Sequence, residues 1–166
     1  MADLVTHAAV GVLLKAATSR THAAAFIAGA LLPDLLSRLP SMICSAARVI
    51  VDVPSLLIYG WDPLHTPVGM LLSAYAISLL FVAEQRVGIF WNLLGGMLLH
   101  MAIDLLQSHL GVGYPLLFPF STRAFELGVI GSEATVPLAL PLALLAAWAW
   151  RRGQPPVSPP DSPPMG

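Results

Sequence analysis

The sequence predicts an all-α fold, a polytopic membrane helical bundle with about four to five embedded helices and one interfacial helix. Of the 166 residues, 57% are hydrophobic and only 10% are charged, and the mean hydropathy is +0.78. Soluble domains carry roughly 25% charged residues. The composition is therefore typical of an integral membrane protein. Apolar segments separated by short turns rich in polar residues, glycine and proline are the second observation.

Charge and cysteine content limit the possible functions. The formal net charge is −1, so no basic surface supports nucleic acid as a partner bound through bulk charge. The single cysteine, Cys44, excludes an internal disulfide and a multi-cysteine metal site. We interpret it as a small apolar packing residue.

The chain divides into one helical membrane domain, residues 1–152, and a proline-rich tail, residues 153–166. The tail has almost nothing to bury and is expected to be disordered. The first apolar segment follows an acidic residue and lacks a basic leader, which indicates a retained helix rather than a cleaved signal peptide.

Two short helices are predicted first, over residues 3–18 and 22–32, the second ending at Pro33 and Asp34. We expect them to form a hairpin whose open ends carry His7 and Asp34.

Residues 42–59 predict a half-buried or interfacial helix. Arg48 and Asp52 are four residues apart in it, and we interpret them as a surface salt bridge rather than a catalytic pair. The loop 60–67 contains a glycine and two prolines and delivers His65 to the start of the next helix.

Two strong spans follow, over residues 68–83 and 88–106, joined by a polar turn at 84–86. At 1.5 Å per residue they cover about 24 to 28 Å, slightly less than the hydrocarbon core of a bilayer. Residues 111–121 then form a loop whose aromatic side chains, including Tyr114, are predicted to rest at the membrane interface. A last span is predicted over residues 134–150.

The polar residues inside this apolar chain require an explanation. His100 and Asp104 are four residues apart, so they share one helix face and can hold one cation or each other. A carboxylate left unpaired there would cost several kcal/mol. The alternative is a buried hydrogen-bonded pair that only holds the bundle together.

Charge bias then orients the chain. If Arg151 and Arg152 mark the cytoplasmic side, the tail is cytoplasmic, and five of the eight Lys and Arg residues lie inside. The same topology brings one set of polar side chains to the outer face: His7, Asp34, His65, His100 and Asp104. Histidine and carboxylate without thiolate suit zinc, with manganese or iron as poorer alternatives and room for one or two ions.

Five short motifs, in order, are similar to those of a known family: Thr6-His7, GALLPD at 29–34, LHT at 64–66, His100-x-x-x-Asp104, and FPFS at 118–121. Over residues 5–122 the chain resembles the bacterial family of inner-membrane, LexA-regulated, metal-dependent hydrolases. That family is itself similar, in its order of His and Asp ligands, to zinc-dependent phospholipase C and the fungal single-strand nucleases. The resemblance implies a mostly helical fold and phosphoester hydrolysis at the bacterial inner membrane.

Carried over by position, the resemblance implies one set of metal ligands: His7, Asp34, His65, His100 and Asp104. The chain departs from the family pattern at Leu36, where a second acid is common, and at Gly60-Trp61, where His-Arg is common. A second metal ion is therefore not defined. Asp62 could replace a missing ligand or, like His109, orient the ligating imidazoles.

The predicted function is a membrane-bound metal-dependent hydrolase that acts on an amphiphilic phosphoester, such as a lipid-derived one, through a metal-activated water. The residues predicted to carry catalysis are Asp34, His65, His100 and Asp104. The alternative is a non-enzymatic membrane protein in which the same cluster is structural or forms an ion-binding or transport site. Hydrolysis needs a solvent-open position, whereas a structural pair does not.

Overall fold

The computed structural model describes residues 4–108, 113–131 and 136–153, and the regular structure there is almost entirely helical. The α-helices are α1 Leu4–Ala17, α2 Ala23–Pro33, α3 Leu39–Ala47, α4 Ser55–Tyr59, α5 Pro67–Ser78, α6 Ala83–Leu106 and α7 Val136–Arg152. A π-helical turn, Asp34–Arg38, joins α2 to α3, and a 3₁₀ turn, Asp62–His65, precedes α5. Two short strands, β1 Gln107–Ser108 and β2 Ile130–Gly131, pair in parallel. The predicted helical fold class is confirmed at this level.

Helix α2 ends at Pro33 as predicted, but the chain does not leave the helix there, because the helical backbone continues through the π-helical turn and α3 to Ala47. Proline lacks the N–H that an α-helix needs, which usually ends or kinks the helix. Here the following turn is π-helical, and the Leu39 N–H bonds to the Asp34 carbonyl five residues earlier. The wider turn lets the backbone hydrogen bonding continue past the proline. Such π turns often lie at functional sites.

The predicted interfacial helix over residues 42–59 is interrupted. Helix α3 ends at Ala47, and α4 begins only at Ser55. Arg48 donates hydrogen bonds to the Val53 carbonyl and to Ser55 Oγ. No ion pair with Asp52 occurs among the described residues, because the backbone there is not helical and residues four apart do not share a face.

The polar turn predicted at 84–86 lies instead inside the first turn of α6. The chain reverses at 79–82, where the Gln85 N–H bonds to the Val82 carbonyl and Arg86 Nε donates to the Phe81 carbonyl at 2.9 Å. Glu84 occupies the first turn of α6, where a negative charge interacts favourably with the helix dipole.

Close packing of α2 on α6 positions the polar residues at the end of the bundle. A Cβ at Gly29 would overlap the Leu93 carbonyl, and a Cβ at Gly96 would overlap the Phe26 carbonyl. Small residues of this kind let two helix backbones approach closely. The π-helical turn at the end of α2 therefore lies beside the last two turns of α6.

Helices α5 and α6 form the main apolar core, in which Met70, Ala74, Leu93, Met97 and Met101 are buried. The outer side of the bundle is also apolar. Trp91 and Leu98 of α6 are largely exposed, whereas His100 on the same helix is fully buried. This distribution, with apolar residues outside and polar residues inside, fits a helix surrounded by lipid.

Two continuous helical segments, Ala23–Ala47 and Ala83–Leu106, are long and apolar enough to cross a membrane. The apolar helices α1 and α5 are shorter. A count of four to five embedded helices therefore stays a prediction. The predicted tail begins at Gly153, and residues 154–166 lie outside the described ranges.

Candidate metal centre

Four of the predicted site residues meet at one buried point. Asp34 opens the π-helical turn, His65 ends the 3₁₀ turn, and His100 and Asp104 lie one turn apart on α6. One ligand atom from each side chain can be chosen so that all four atoms lie within 4.8 Å of one another. All four residues are buried. The group could therefore hold a metal ion. Its residues come from three parts of the chain that are distant from one another in the sequence.

Asp104 lies at the centre of this group. Its Oδ2 atom is 3.2 Å from His65 Nε2 and 3.4 Å from His100 Nε2. Asp34 Oδ1 is 3.8 Å from His100 Nε2 and 3.9 Å from His65 Nδ1. Both carboxylates therefore face imidazole nitrogens rather than solvent.

The hydrogen-bonding partner of His100 sets its tautomer. Nδ1 donates a 2.8 Å hydrogen bond to the Ala30 carbonyl, which can only accept. A neutral His100 therefore carries its lone pair on Nε2, the atom that faces both carboxylates. That atom makes no hydrogen bond within the described ranges.

His65 is oriented in the same way by Ser37. The Ser37 hydroxyl donates to the Pro33 carbonyl at 2.8 Å, so its oxygen must accept from His65 Nδ1 at 3.1 Å. In a neutral His65 the lone pair then lies on Nε2, which is 3.2 Å from Asp104 Oδ2, a hydrogen-bonding distance. Lone pairs facing a carboxylate at this distance repel each other unless a cation or a proton lies between them. A divalent metal satisfies this arrangement, as does a proton on the imidazole, and metal-bound histidines commonly donate their other N–H in this manner.

His7 adjoins the group without being one of its four members. It is 0% exposed, its ring stacks on His100 with the centroids 3.9 Å apart, and Nε2 is 3.3 Å from Asp104 Oδ1. Neither ring nitrogen makes a hydrogen bond within the described part of the chain. His7 is therefore placed where the sequence predicted it, and its role as a ligand stays a prediction.

Two further residues contact the carboxylates and were not predicted. Arg38 Nε is 3.2 Å from Asp34 Oδ1, and Arg38 Nη2 donates to the Tyr114 hydroxyl at 2.6 Å. Tyr114 in turn donates to Asp104 Oδ2 at 2.7 Å. The predicted interfacial position of Tyr114 is wrong, because its side chain is buried in the core. Burial, with the neighbouring Asp104 charge, raises the pKa of the Tyr114 phenol, so it remains a neutral donor.

A sequence signal existed for Arg38 but not for Tyr114. Arg38 is four residues after Asp34, the spacing of a helical ion pair, and the expected helix end at Pro33 hid that relation. Tyr114 lies in a loop, and a loop has no regular spacing of residues from which the direction of a side chain could be predicted.

A cavity of about 550 Å³ adjoins the cluster, and it is lined by His65 of the cluster and by Arg38 and Tyr114, which contact the two carboxylates. Asp62 also lines this cavity but does not belong to the four-residue group. Partial desolvation raises the pKa of the Asp62 carboxyl, although the charges of Arg38 and His65 oppose that rise. His109 lies outside the described residues.

A family model described as YdjM inner membrane protein matches residues 1–157. The chain belongs to the YdjM inner membrane protein family. Membership is consistent with the expected bacterial inner-membrane family, and the matched range contains the four clustered residues. Comparisons with curated proteins and with solved structures give no match. The expected similarity to phospholipase C and single-strand nucleases gains no support from these comparisons.

Proposed function

We propose that this chain is a membrane-bound, metal-dependent hydrolase that acts on a phosphoester. The observation that carries the proposal is the orientation of His65 and His100. Ser37 and the Ala30 carbonyl occupy the two Nδ1 atoms, which leaves both Nε2 lone pairs directed at Asp104. A divalent cation held between these nitrogens and the carboxylates would remove the repulsion between their lone pairs.

Zinc is the proposed metal, with manganese as the alternative. Neutral imidazoles and carboxylates without thiolate match the ligands of catalytic zinc sites. Asp34, His65, His100 and Asp104 would hold the ion, and His7 is the proposed fifth ligand. A divalent ion at this position supplies Lewis acidity, which polarises a phosphoryl oxygen and makes water a nucleophile near neutral pH.

The chain's own residues would position the reacting groups. Tyr114 and Arg38 fix the two carboxylates, while Ser37 fixes His65. His65 is also the cluster residue that lines the cavity. Substrate would therefore approach from the side of His65, because His7 and His100 are both 0% exposed and do not line the cavity.

We further propose that the site lies at the outer membrane face and that the tail is cytoplasmic. Arg151 and Arg152 end α7, and cytoplasmic segments are enriched in Lys and Arg. A site at the end of a membrane helix suits an amphiphilic, lipid-derived phosphoester.

Metal content tests this function directly. Detergent-purified protein is loaded with zinc or manganese, dialysed, and measured by inductively coupled plasma mass spectrometry beside His100→Ala and Asp34→Ala. We expect near-stoichiometric metal in the wild type and loss in both variants. Metal-loaded wild type is then assayed against phosphomonoesters and phosphodiesters, including phospholipids.

His22→Asn is the matched control, since it removes an imidazole at the opposite end of α2 from Asp34. His22 has a φ of 51°, and asparagine tolerates this left-handed conformation. The control should retain the metal. A folded wild type without metal after loading would overturn the hydrolase and support a structural role. Metal without turnover of any phosphoester would support ion binding or transport.

A further inference from the structure

The lining of the cavity beside the metal centre contains two kinds of residue. Some are polar, among them His65 of the centre and Arg38, which contacts it. The remaining surface is mainly apolar, and it includes Met42, Pro115 and Phe118. At about 550 Å³ the cavity has the size of a small-molecule site. It is therefore suited to a ligand with one polar end and one apolar end.

Arg38 is the one Lys or Arg among the described residues that line this cavity. Its guanidinium is held in place by Asp34 through Nε and by the Tyr114 hydroxyl through Nη2. Nη1 makes no hydrogen bond to any described residue, and the side chain is 32% exposed. The residue thus presents unused N–H donors in a fixed direction.

A fixed guanidinium suits a phosphate better than it suits a neutral group. Arg donors form charge-assisted, often paired, hydrogen bonds with phosphate oxygens. Holding the side chain in advance by Asp34 and Tyr114 also reduces the rotamer entropy lost on binding. Asp62 also lines the cavity, and its carboxylate would repel an anion elsewhere in it. The position of the anion is therefore determined by Arg38.

We propose that Arg38 binds the phosphate group of a single-headed amphiphile whose hydrocarbon part lies against the apolar residues that line the cavity. The inference rests on the proposed function in one respect: a phosphate bound at Arg38 would be the substrate group that lies beside the metal centre. Binding itself does not require turnover, so the two proposals can fail separately.

The test measures binding of three probes to full-length protein in a neutral maltoside detergent by isothermal titration calorimetry. The probes are 1-lauroyl lysophosphatidate, the uncharged monolaurin and inorganic phosphate. Partition of the probes into micelles is the same for every variant, so variants are compared with the wild type. Titrations are run after treatment with EDTA and again after zinc loading, and metal content is measured on each sample.

We expect the wild type to bind lysophosphatidate at least about 10-fold more tightly than monolaurin or inorganic phosphate. Arg38→Met should lose the preference over monolaurin while it still binds monolaurin. Arg38→Lys should restore part of it, because a point charge remains without the guanidinium geometry. The matched control is Arg48→Met, an exposed arginine on the following segment that does not line this cavity.

Three results would overturn the inference. The first is an unchanged phosphate preference in Arg38→Met, and the second is a wild type without any preference. The third is inorganic phosphate binding as tightly as lysophosphatidate, which would show that the hydrocarbon part of the ligand contributes nothing to binding. Thermal unfolding of each variant checks that it is folded. If Arg38→Met does not fold, the phosphate preference of Arg38→Lys is compared with that of the wild type instead. A wild type that shows the preference but holds no metal would overturn the hydrolase and leave Arg38 as an anion-binding residue.

Discussion

The Tyr114 hydroxyl donates a 2.7 Å hydrogen bond to Asp104 Oδ2 and accepts one of 2.6 Å from Arg38 Nη2. Because Arg38 also pairs with Asp34, one chain of contacts joins both carboxylates of the metal centre. The loop after α6 is thus connected to the π-helical turn through the phenol.

Tyr114→Phe should remove this connection. Groups that orient metal ligands typically change metal affinity by about 10- to 100-fold when mutated, and we expect a loss in that range. The free energy of unfolding should fall by about 1 to 3 kcal/mol, because Asp104 and Arg38 lose a buried partner. Zinc titration against a chelator and thermal unfolding measure the two effects. Tyr75→Phe, at an exposed position on α5, is the control and should change neither quantity.

Ser37→Ala should release the His65 ring. Without the hydroxyl, Nδ1 has no acceptor at 3.1 Å, and the tautomer with the lone pair on Nε2 is no longer favoured. We expect zinc affinity to fall by about 10-fold or more. The same chelator competition measures it, with Ser45→Ala on the exposed side of α3 as the control. Unchanged affinity would contradict the assigned tautomer.

Gly96→Ala should separate α2 from α6. The added methyl group would overlap the Phe26 carbonyl, and overpacking of this kind costs about 1 to 3 kcal/mol. Asp34 directly follows α2 and His100 lies on α6, so separating the two helices should also lower the metal affinity. At Gly95 the added methyl group meets only the Phe26 ring, 3.2 Å away, which can move. Equal unfolding free energies for Gly95→Ala and Gly96→Ala would refute the close contact.

The proposed topology predicts an asymmetric labelling pattern in intact spheroplasts. In a Cys44→Ala background, Asp62→Cys should react with a membrane-impermeant maleimide from outside. Arg86→Cys should react only after permeabilisation, because the first turn of α6 is placed inside. Gel shift of the labelled protein measures both, and the reverse pattern would place the metal centre on the cytoplasmic side.

Local patterns explain which elements could be predicted. Helices α5 to α7 follow from long apolar segments, because hydropathy is a property of neighbouring residues. The interruption of residues 42–59 was missed, since an apolar sequence alone does not reveal where a helix stops. Continuation through Pro33 was missed for a different reason: local rules give proline a helix-ending role, and the π-helical turn that accommodates it forms in three dimensions.

The sequence by itself determined a helical membrane protein with a His100 and Asp104 pair on one helix face, and the order of motifs singled out Asp34 and His65. Only the tertiary structure decided that these four side chains meet. It also brought Arg38 and Tyr114 to the carboxylates and determined which nitrogen of a neutral His100 carries the proton. The physical reason is that helical spacing acts within about one turn, whereas a tautomer depends on hydrogen-bond partners from other parts of the chain, such as the Ala30 carbonyl 70 residues from His100.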